Sequence, residues 1–245
     1  MGMRTPSRLP AALFLDMDDT ILEDTLSTAA CWQTACQRFA DDIPSLTPAT
    51  LMAEIDTVRA WYWSDRGRHR QGRLDLDRAR AEIVATALRR HGIVAPDLAR
   101  RIAVCHAELR DQAMKPFPGA LETLAWLRER GMRMALLTNG ASAPQRAKIE
   151  RFGLAPFFQC IVIEGELGVG KPDERIYRHA LNRLHVTPSQ AWMVGDNLEW
   201  DVMAPQRGGM TGVWIDLTRA GLPAGSAIQP DFTICALHEL TTLLN

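Results

Sequence analysis

The chain lacks most of the marks of disulfide scaffolds, zinc sites and membrane proteins. Its five cysteines (Cys31, Cys36, Cys105, Cys160 and Cys235) are odd in number, scattered and never spaced as CxxC. That argues against a disulfide framework and a structural zinc site, and suits a reducing compartment. An excess of one charge is missing too. With a formal net charge of −1, no global field favours nucleic acid, a membrane surface or a polyanionic partner. No apolar run approaches the length of a transmembrane helix. Arg4 and Arg8 precede an apolar run, but it is short, interrupted by Pro10 and ended by Asp16, so it does not read as a signal peptide. Internal repeats and low-complexity tracts are absent. The expectation is a cytoplasmic globular protein of 245 residues, 47% hydrophobic and 23% charged, large enough for a core and a modest second unit.

What is present is a series of short apolar runs that read as buried strands. They are AALFL (11–15), MRMALLT (132–138), CIVI (160–163), AWMVG (191–195), TGVWI (211–215) and FTIC (232–235), most of them bounded by Gly, Pro or Asp. Helical patterns lie between the later ones. In 119–130, Leu121, Leu124 and Leu127 share a face before Gly131; in 173–184, Ile176, Ala180, Leu181 and Leu184 do so, with Pro172 at the expected start. From Phe117 onward the alternation predicts a parallel sheet covered by helices. Between about 24 and 115 the rhythm changes: no strand is evident, only helical patterns at 28–40, 47–63, 75–91 and 97–113, punctuated by Pro44, Pro48 and Pro96. A sheet protein that leaves its first strand, makes several helices and then resumes strands has an inserted helical unit.

In open α/β sheets ligands bind at the carboxyl ends of the strands. The first strand is followed by Asp16, Asp18 and Thr20; the second by Thr138, Asn139 and Gly140; the third, past the loop EGELGVG, by Lys171 and Pro172; the fourth by Gly195, Asp196, Asn197 and then Asp201. In a parallel sheet all four clusters converge. Asp16, Asp18 and Asp196 brought together need a cation, and a hard oxygen site suits Mg²⁺. A carboxylate, a hydroxyl and a lysine around it would surround a phosphoryl group with charge and donors. One Asp can attack phosphorus, and another two residues on can protonate the leaving oxygen and later deprotonate water. That spacing puts two side chains on the same side of an extended segment. Asp19, one residue beyond Asp18 and out of phase with both, is expected to point away and to serve as a cap or surface residue.

These stretches resemble the four motifs of the haloacid dehalogenase-like superfamily. DMDDT is similar to its DxDx[T/V] signature, LLTNG to its second motif, GKP to its lysine motif and GDNLEWD to its fourth, acidic motif, in the family's order over about 11–216. The resemblance implies a Rossmann-like, doubly wound parallel sheet core (1–23 and 115–245) with an inserted α-helical cap of the C1 type (24–114). It implies that Asp16 is the nucleophile and a Mg²⁺ ligand, and that Asp18 is the general acid/base and offers its backbone carbonyl to the metal. Thr138 and Lys171 would hold the phosphoryl oxygens, assisted by the Asn139 N–H. Asp196 would bind Mg²⁺, and Asp201 would orient Lys171 or the metal shell. The implied activity is Mg²⁺-dependent hydrolysis of a small phosphorylated metabolite through an aspartyl-phosphate, with no nucleic-acid or membrane partner.

Two related chemistries remain alternatives. A phosphomutase of the β-phosphoglucomutase type shares every core motif. A 2-haloacid dehalogenase uses the same nucleophile without metal, and Asp18 and Asp196 speak against it. A signalling receiver domain also combines acids, Thr, Lys and Mg²⁺, but has no helical insertion and carries its acceptor Asp on an internal strand. In the insertion, WYWSDRGRHRQGRLDLDRAR (61–80) stands out. Its Arg66, Arg68, His69, Arg70 and Arg73 could meet an anionic substrate, although runs of arginine are more often solvated loop and clustered aromatics more often helix-packing core. The remaining histidines show no metal-ligand spacing.

Overall fold

The computed structural model describes residues 9–25 and 27–245; Arg4 and Arg8, which precede the run that does not read as a signal peptide, lie outside them. The chain folds into two compact units, one formed by the residues up to Glu23 together with Lys115–Asn245 and the other by Asp24–Met114. None of the described helices is long and apolar enough to cross a membrane.

The first unit is a Rossmann-like α/β fold. Its sheet strands are β1 (Ala12–Leu15), β4 (Arg133–Thr138), β5 (Cys160–Ile163), β6 (Ala191–Gly195), β7 (Thr211–Ile215) and β8 (Phe232–Ile234). They lie in the order β5-β4-β1-β6-β7-β8, every pair parallel. Parallel strands covered on both faces need continuous apolar runs, and β1, with all four residues buried, is such a run. Helices α6 (Ala120–Glu129), α7 (Ser142–Arg151), α8 (Glu164–Leu167), α9 (Glu174–Leu184) and α10 (Ala204–Arg207) lie in the connections, and α11 (Leu240–Leu243) follows β8. One core joins Phe14, Leu137, Val162 and Met193 from the strands to Ile176, Tyr177 and Ala180 of α9. Because β4 and β6 lie on opposite sides of β1, the strand order reverses at β1. A crevice therefore opens at the carboxyl end of the central strand.

Several local features depart from the expectations above. A two-residue antiparallel pair, β2 (Leu22–Glu23) with β3 (Lys115–Pro116), sits where the chain leaves and re-enters this unit. Strands of two residues carry no readable alternation. Helix α9 begins after Pro172, with the Asp173 carboxylate as its N-cap, accepting from the Arg175 N–H. The glycine-rich loop after β5 contains the short helix α8. Asp19 is buried at 7% exposure, not a surface residue. It adopts a left-handed conformation (φ 53°) and its N–H donates to the Leu22 carbonyl at 2.7 Å. That reversal, which Asp tolerates better than most side chains, folds the segment back under the end of β1.

The second unit is all helical: α1 (Thr28–Arg38), α2 (Pro48–Ser64), α3 (Arg66–Leu74), α4 (Leu76–Arg90) and α5 (Pro96–Ala113). It has its own core, including Trp32, Leu51, Ile55, Val58, Ile83, Leu88 and Ile102. The arginine-rich stretch is a helix rather than a solvated loop. Asp65 caps it by accepting from the Arg68 N–H at 2.8 Å. The Arg68 guanidinium lies 4.0 Å from the Trp61 ring centroid and donates to the carbonyls of Trp61 and Tyr62. Arg68 thereby satisfies carbonyls left open at the end of α2, and Trp61 stays exposed beneath it.

Candidate active site

At the end of β1, the Asp16 N–H still donates to the Val194 carbonyl of β6 at 3.0 Å, so the sheet register sets where this carboxylate stands. Lys171 reaches it from the loop after β5. Its ammonium lies 2.8 Å from Asp16 Oδ1 and 2.7 Å from Asp201 Oδ1, and its side chain is 1% exposed. Asp201 is fully buried, and its second oxygen accepts from the Asn197 N–H at 3.1 Å. Asp201 sits on the irregular helical turn Leu198–Met203, entered through Asn197, whose side chain accepts from the N–H groups of Glu199 and Trp200. There is no room for a side chain at Gly195. A Cβ there would lie 2.4 Å from the Asp201 carboxyl carbon.

The loop carrying Lys171 is fastened to the end of β4 by Asn139. Its side-chain oxygen accepts from the Lys171 N–H (2.7 Å), and its side-chain amide donates to the Lys171 carbonyl (2.9 Å). Only a backbone role was expected of Asn139, and its amide side chain is an addition. Gly170 permits the approach, since a Cβ there would lie 2.5 Å from both Asn139 and Glu164. Thr138 is buried at the end of β4, and its hydroxyl accepts from the Gln145 side chain at 2.5 Å.

Carboxylate oxygens of Asp16, Asp196 and Asp201 lie within 4.8 Å of one another. One buried ammonium faces three acids, so negative charge is in excess. Burial raises the Asp16 carboxyl to about 7 despite the pull of Lys171, with Asp201 and Asp18 adding to the rise. Asp196 is pushed to about 9, by burial first and then by Asp16, Asp201 and Asp19. Lys171 moves upward, because its two carboxylate partners outweigh the cost of burying it. Both Asp201 oxygens are engaged, which leaves Asp16 and Asp196 as the oxygen donors for a cation. Two carboxyls in a cluster with more acids than ammonium groups offer the hard oxygen donors that a divalent cation takes.

Asp18 stands apart from this cluster. One of its oxygens lies 2.7 Å from Lys148 Nζ, and the other accepts from Gln145 Nε2 at 2.9 Å. Neither Gln145 nor Lys148 is flagged by the motifs, and the helix that carries them shows little apolar periodicity. One signal was available: the chain has only three lysines, at 115, 148 and 171, among 28 Lys and Arg residues. Two of the three contact the aspartates of DMDDT.

With this geometry in view, the similarity to known proteins is specific. The family model for haloacid dehalogenase-like hydrolases matches residues 10–209, and the chain belongs to that family. It is 41% identical over 147 residues to a phosphoserine phosphatase of Thermus thermophilus, a match that spans 60% of this chain and 57% of that protein. Over 237 residues it is 31% identical to a glyceraldehyde 3-phosphate phosphatase of Methanopyrus kandleri, spanning 94% of each. In fold it is similar to the magnesium-bound HAD-hydrolase YfnB of Bacillus subtilis, with a TM-score of 0.75, 23% identity, and coverage of 97% of this chain and 100% of that one.

Proposed function

We propose that this chain is a Mg²⁺-dependent phosphatase that hydrolyses a small phosphomonoester through an aspartyl-phosphate on Asp16. The observation that carries this reading is the pairing of Asp16 with buried Lys171 at the switch point of the sheet, two residues before a second, separately held carboxyl, Asp18. An Asp16 oxygen attacks phosphorus and the bond to the leaving oxygen breaks, while that oxygen takes its proton from Asp18. Asp18, now ionised, accepts a proton from water. The hydroxide attacks phosphorus, inorganic phosphate leaves and Asp16 is regenerated. Thr138, the Asn139 N–H and Lys171 bind phosphoryl oxygens, and Asp201 keeps Lys171 charged and aimed. When bound by Asp16, Asp196 and the Asp18 carbonyl, Mg²⁺ supplies neutralisation of phosphoryl charge. The helical unit 24–114 serves as the cap that excludes water and selects the substrate.

The two phosphatases named above are named for small phosphate esters, phosphoserine and glyceraldehyde 3-phosphate, which supports a small-metabolite substrate here. A dehalogenase has no leaving group to protonate and so no use for an acid at Asp18. The test is phosphate release from p-nitrophenyl phosphate and from a panel of phosphorylated metabolites. Activity is expected to require Mg²⁺, to stop with EDTA and to fall by roughly 10⁴-fold or more in Asp16→Asn, the scale seen when a covalent nucleophile is removed. Undiminished hydrolysis by Asp16→Asn, turnover of 2-chloropropionate instead, or a phosphosugar isomerised faster than it releases phosphate would each overturn the reading.

A further inference from the structure

Helix α7 contributes nothing to the four sequence motifs, yet two of its side chains grip the candidate acid/base. Gln145 and Lys148 are three residues apart and so share a face of the helix. Lys148 Nζ meets one oxygen of Asp18 at 2.7 Å, and Gln145 Nε2 meets the other at 2.9 Å. The same Gln145 nitrogen lies 2.5 Å from the Thr138 hydroxyl and 3.1 Å from the Asn139 carbonyl. An amide nitrogen has two hydrogens and here faces three acceptors, so Gln145 is shared between the end of β1 and the end of β4. Gln145 is buried, and the Lys148 side chain is 13% exposed against 26% for Asp18. This contact is therefore partly desolvated, unlike a surface ion pair.

We propose that Gln145 and Lys148 are positioning residues for the reaction, which hold the Asp18 carboxyl by one oxygen each and keep it in register with the phosphate-binding Thr138 and Asn139. The proposal rests on the phosphatase reading, in which Asp18 moves the proton. The residue types fit the task. An ammonium is a point donor that engages a single carboxylate oxygen, whereas a guanidinium fork takes both in parallel. At 148 the chain departs from its usual arginine, and the oxygen that a fork would occupy is the one that Gln145 holds. A carboxyl gripped in this way keeps a fixed direction, and proton transfer falls off steeply when that direction is lost.

The test uses three aryl phosphates with leaving groups of graded basicity: phenyl, p-nitrophenyl and 2,4-dinitrophenyl phosphate. Phenolate departure needs a proton, whereas dinitrophenolate departs without one. For Lys148→Met, which keeps the aliphatic stem, kcat/KM is expected to fall roughly 10–100-fold for phenyl phosphate and only a fewfold for 2,4-dinitrophenyl phosphate, the loss that a misplaced general acid produces. Gln145→Met is the second variant should the first fail to fold, and the same steepening is expected of it. Lys148→Arg is expected to keep the thermal stability of the wild type without restoring phenyl phosphate turnover. An equal loss across the series, no loss at all, or full rescue by Lys148→Arg overturns the proposal. Asp18→Asn separates the two levels. If it steepens the series and Lys148→Met does not, only this inference fails. If the wild type hydrolyses none of the three, the phosphatase reading fails and takes the inference with it.

Discussion

Asp16 and Asp18 stand two residues apart, yet each meets a different lysine. Asp16 shares the buried Lys171 with Asp201, while Asp18 is met by Lys148 at the more exposed edge. Their spacing was legible in DMDDT, but their separation into two electrostatic environments was not, because Lys148 lies 130 residues away. A second residue shows how burial alone can set a charge state. His106, on α5 in the helical unit, is buried and stacks on Trp32 with ring centroids 3.7 Å apart, and neither ring nitrogen has a hydrogen-bond partner among the described residues. Burial, then the charges of Arg80, Arg110 and Arg59, lower its pKa from 6.5 to about 3. Between those values the unfolded chain binds a proton that the folded chain refuses, so this group removes stability as pH falls below 6.5. His106→Phe keeps the stacking and deletes two unpartnered polar atoms, each costing about 1–3 kcal/mol. It is expected to raise Tm, and by more at pH 5 than at pH 8. Thermal denaturation at the two pH values checks this.

At the scale of elements, the ends of strands matter more than their middles. The six sheet strands fall where apolar runs predicted them, because a parallel strand buried on both faces must be apolar along its length. Helix α7 was not legible. It has Pro144 in its first turn, and only Gln145 and Ile149 are buried, so no apolar stripe marks it. Helix α3 is silent in the sequence for the same reason, since only Gly72 of its nine residues is buried. What holds it is the Asp65 cap and the reach of Arg68, both local polar contacts without periodicity. The end of β6 shows how closely an element can be tied to the chemistry. Gly195→Ala would drive a Cβ into the Asp201 carboxyl. Overpacking of this kind costs roughly 1–3 kcal/mol, and the displaced Asp201 would release Lys171. The expected result is a lower Tm together with a loss of kcat greater than the loss of folded protein explains. Steady-state kinetics alongside circular dichroism checks it.

For the whole molecule, the excess of acid at the crevice makes stability depend on pH and on the cation together. Asp16 and Asp196 ionise near 3.8 in the unfolded chain but at about 7 and about 9 when folded. Over that range the folded state holds protons that the unfolded state has lost, so their contribution to stability is full below pH 4 and declines as pH rises through 7 and 9. A bound divalent cation should reverse the decline by favouring the ionised form. In EDTA at pH 8, Asp196→Asn is therefore expected to melt above the wild type, with the gap narrowing toward pH 4. Mg²⁺ at about 100 times its dissociation constant should stabilise the wild type by about 2.7 kcal/mol and the variant by much less. Differential scanning fluorimetry across pH, with and without Mg²⁺, tests both.

The sequence by itself determined the chemistry on offer. Buried apolar strands ending in DMDDT, LLTNG, GKP and GDNLEWD can be read locally, because each is a short run whose period and terminal residues need no knowledge of the rest. Strand order, and with it the choice of β1 as the switch point, was decided only in three dimensions, since parallel neighbours lie far apart in the chain. The same holds for the burial of Asp19, which depends on one left-handed residue, and for the Asn139 clasp on Lys171. It holds most of all for Gln145 and Lys148, whose helix has no apolar face to announce it. Polar side chains that act across the molecule leave no periodic trace in the sequence, because what they pack against is another loop's charge and not a continuous hydrophobic surface.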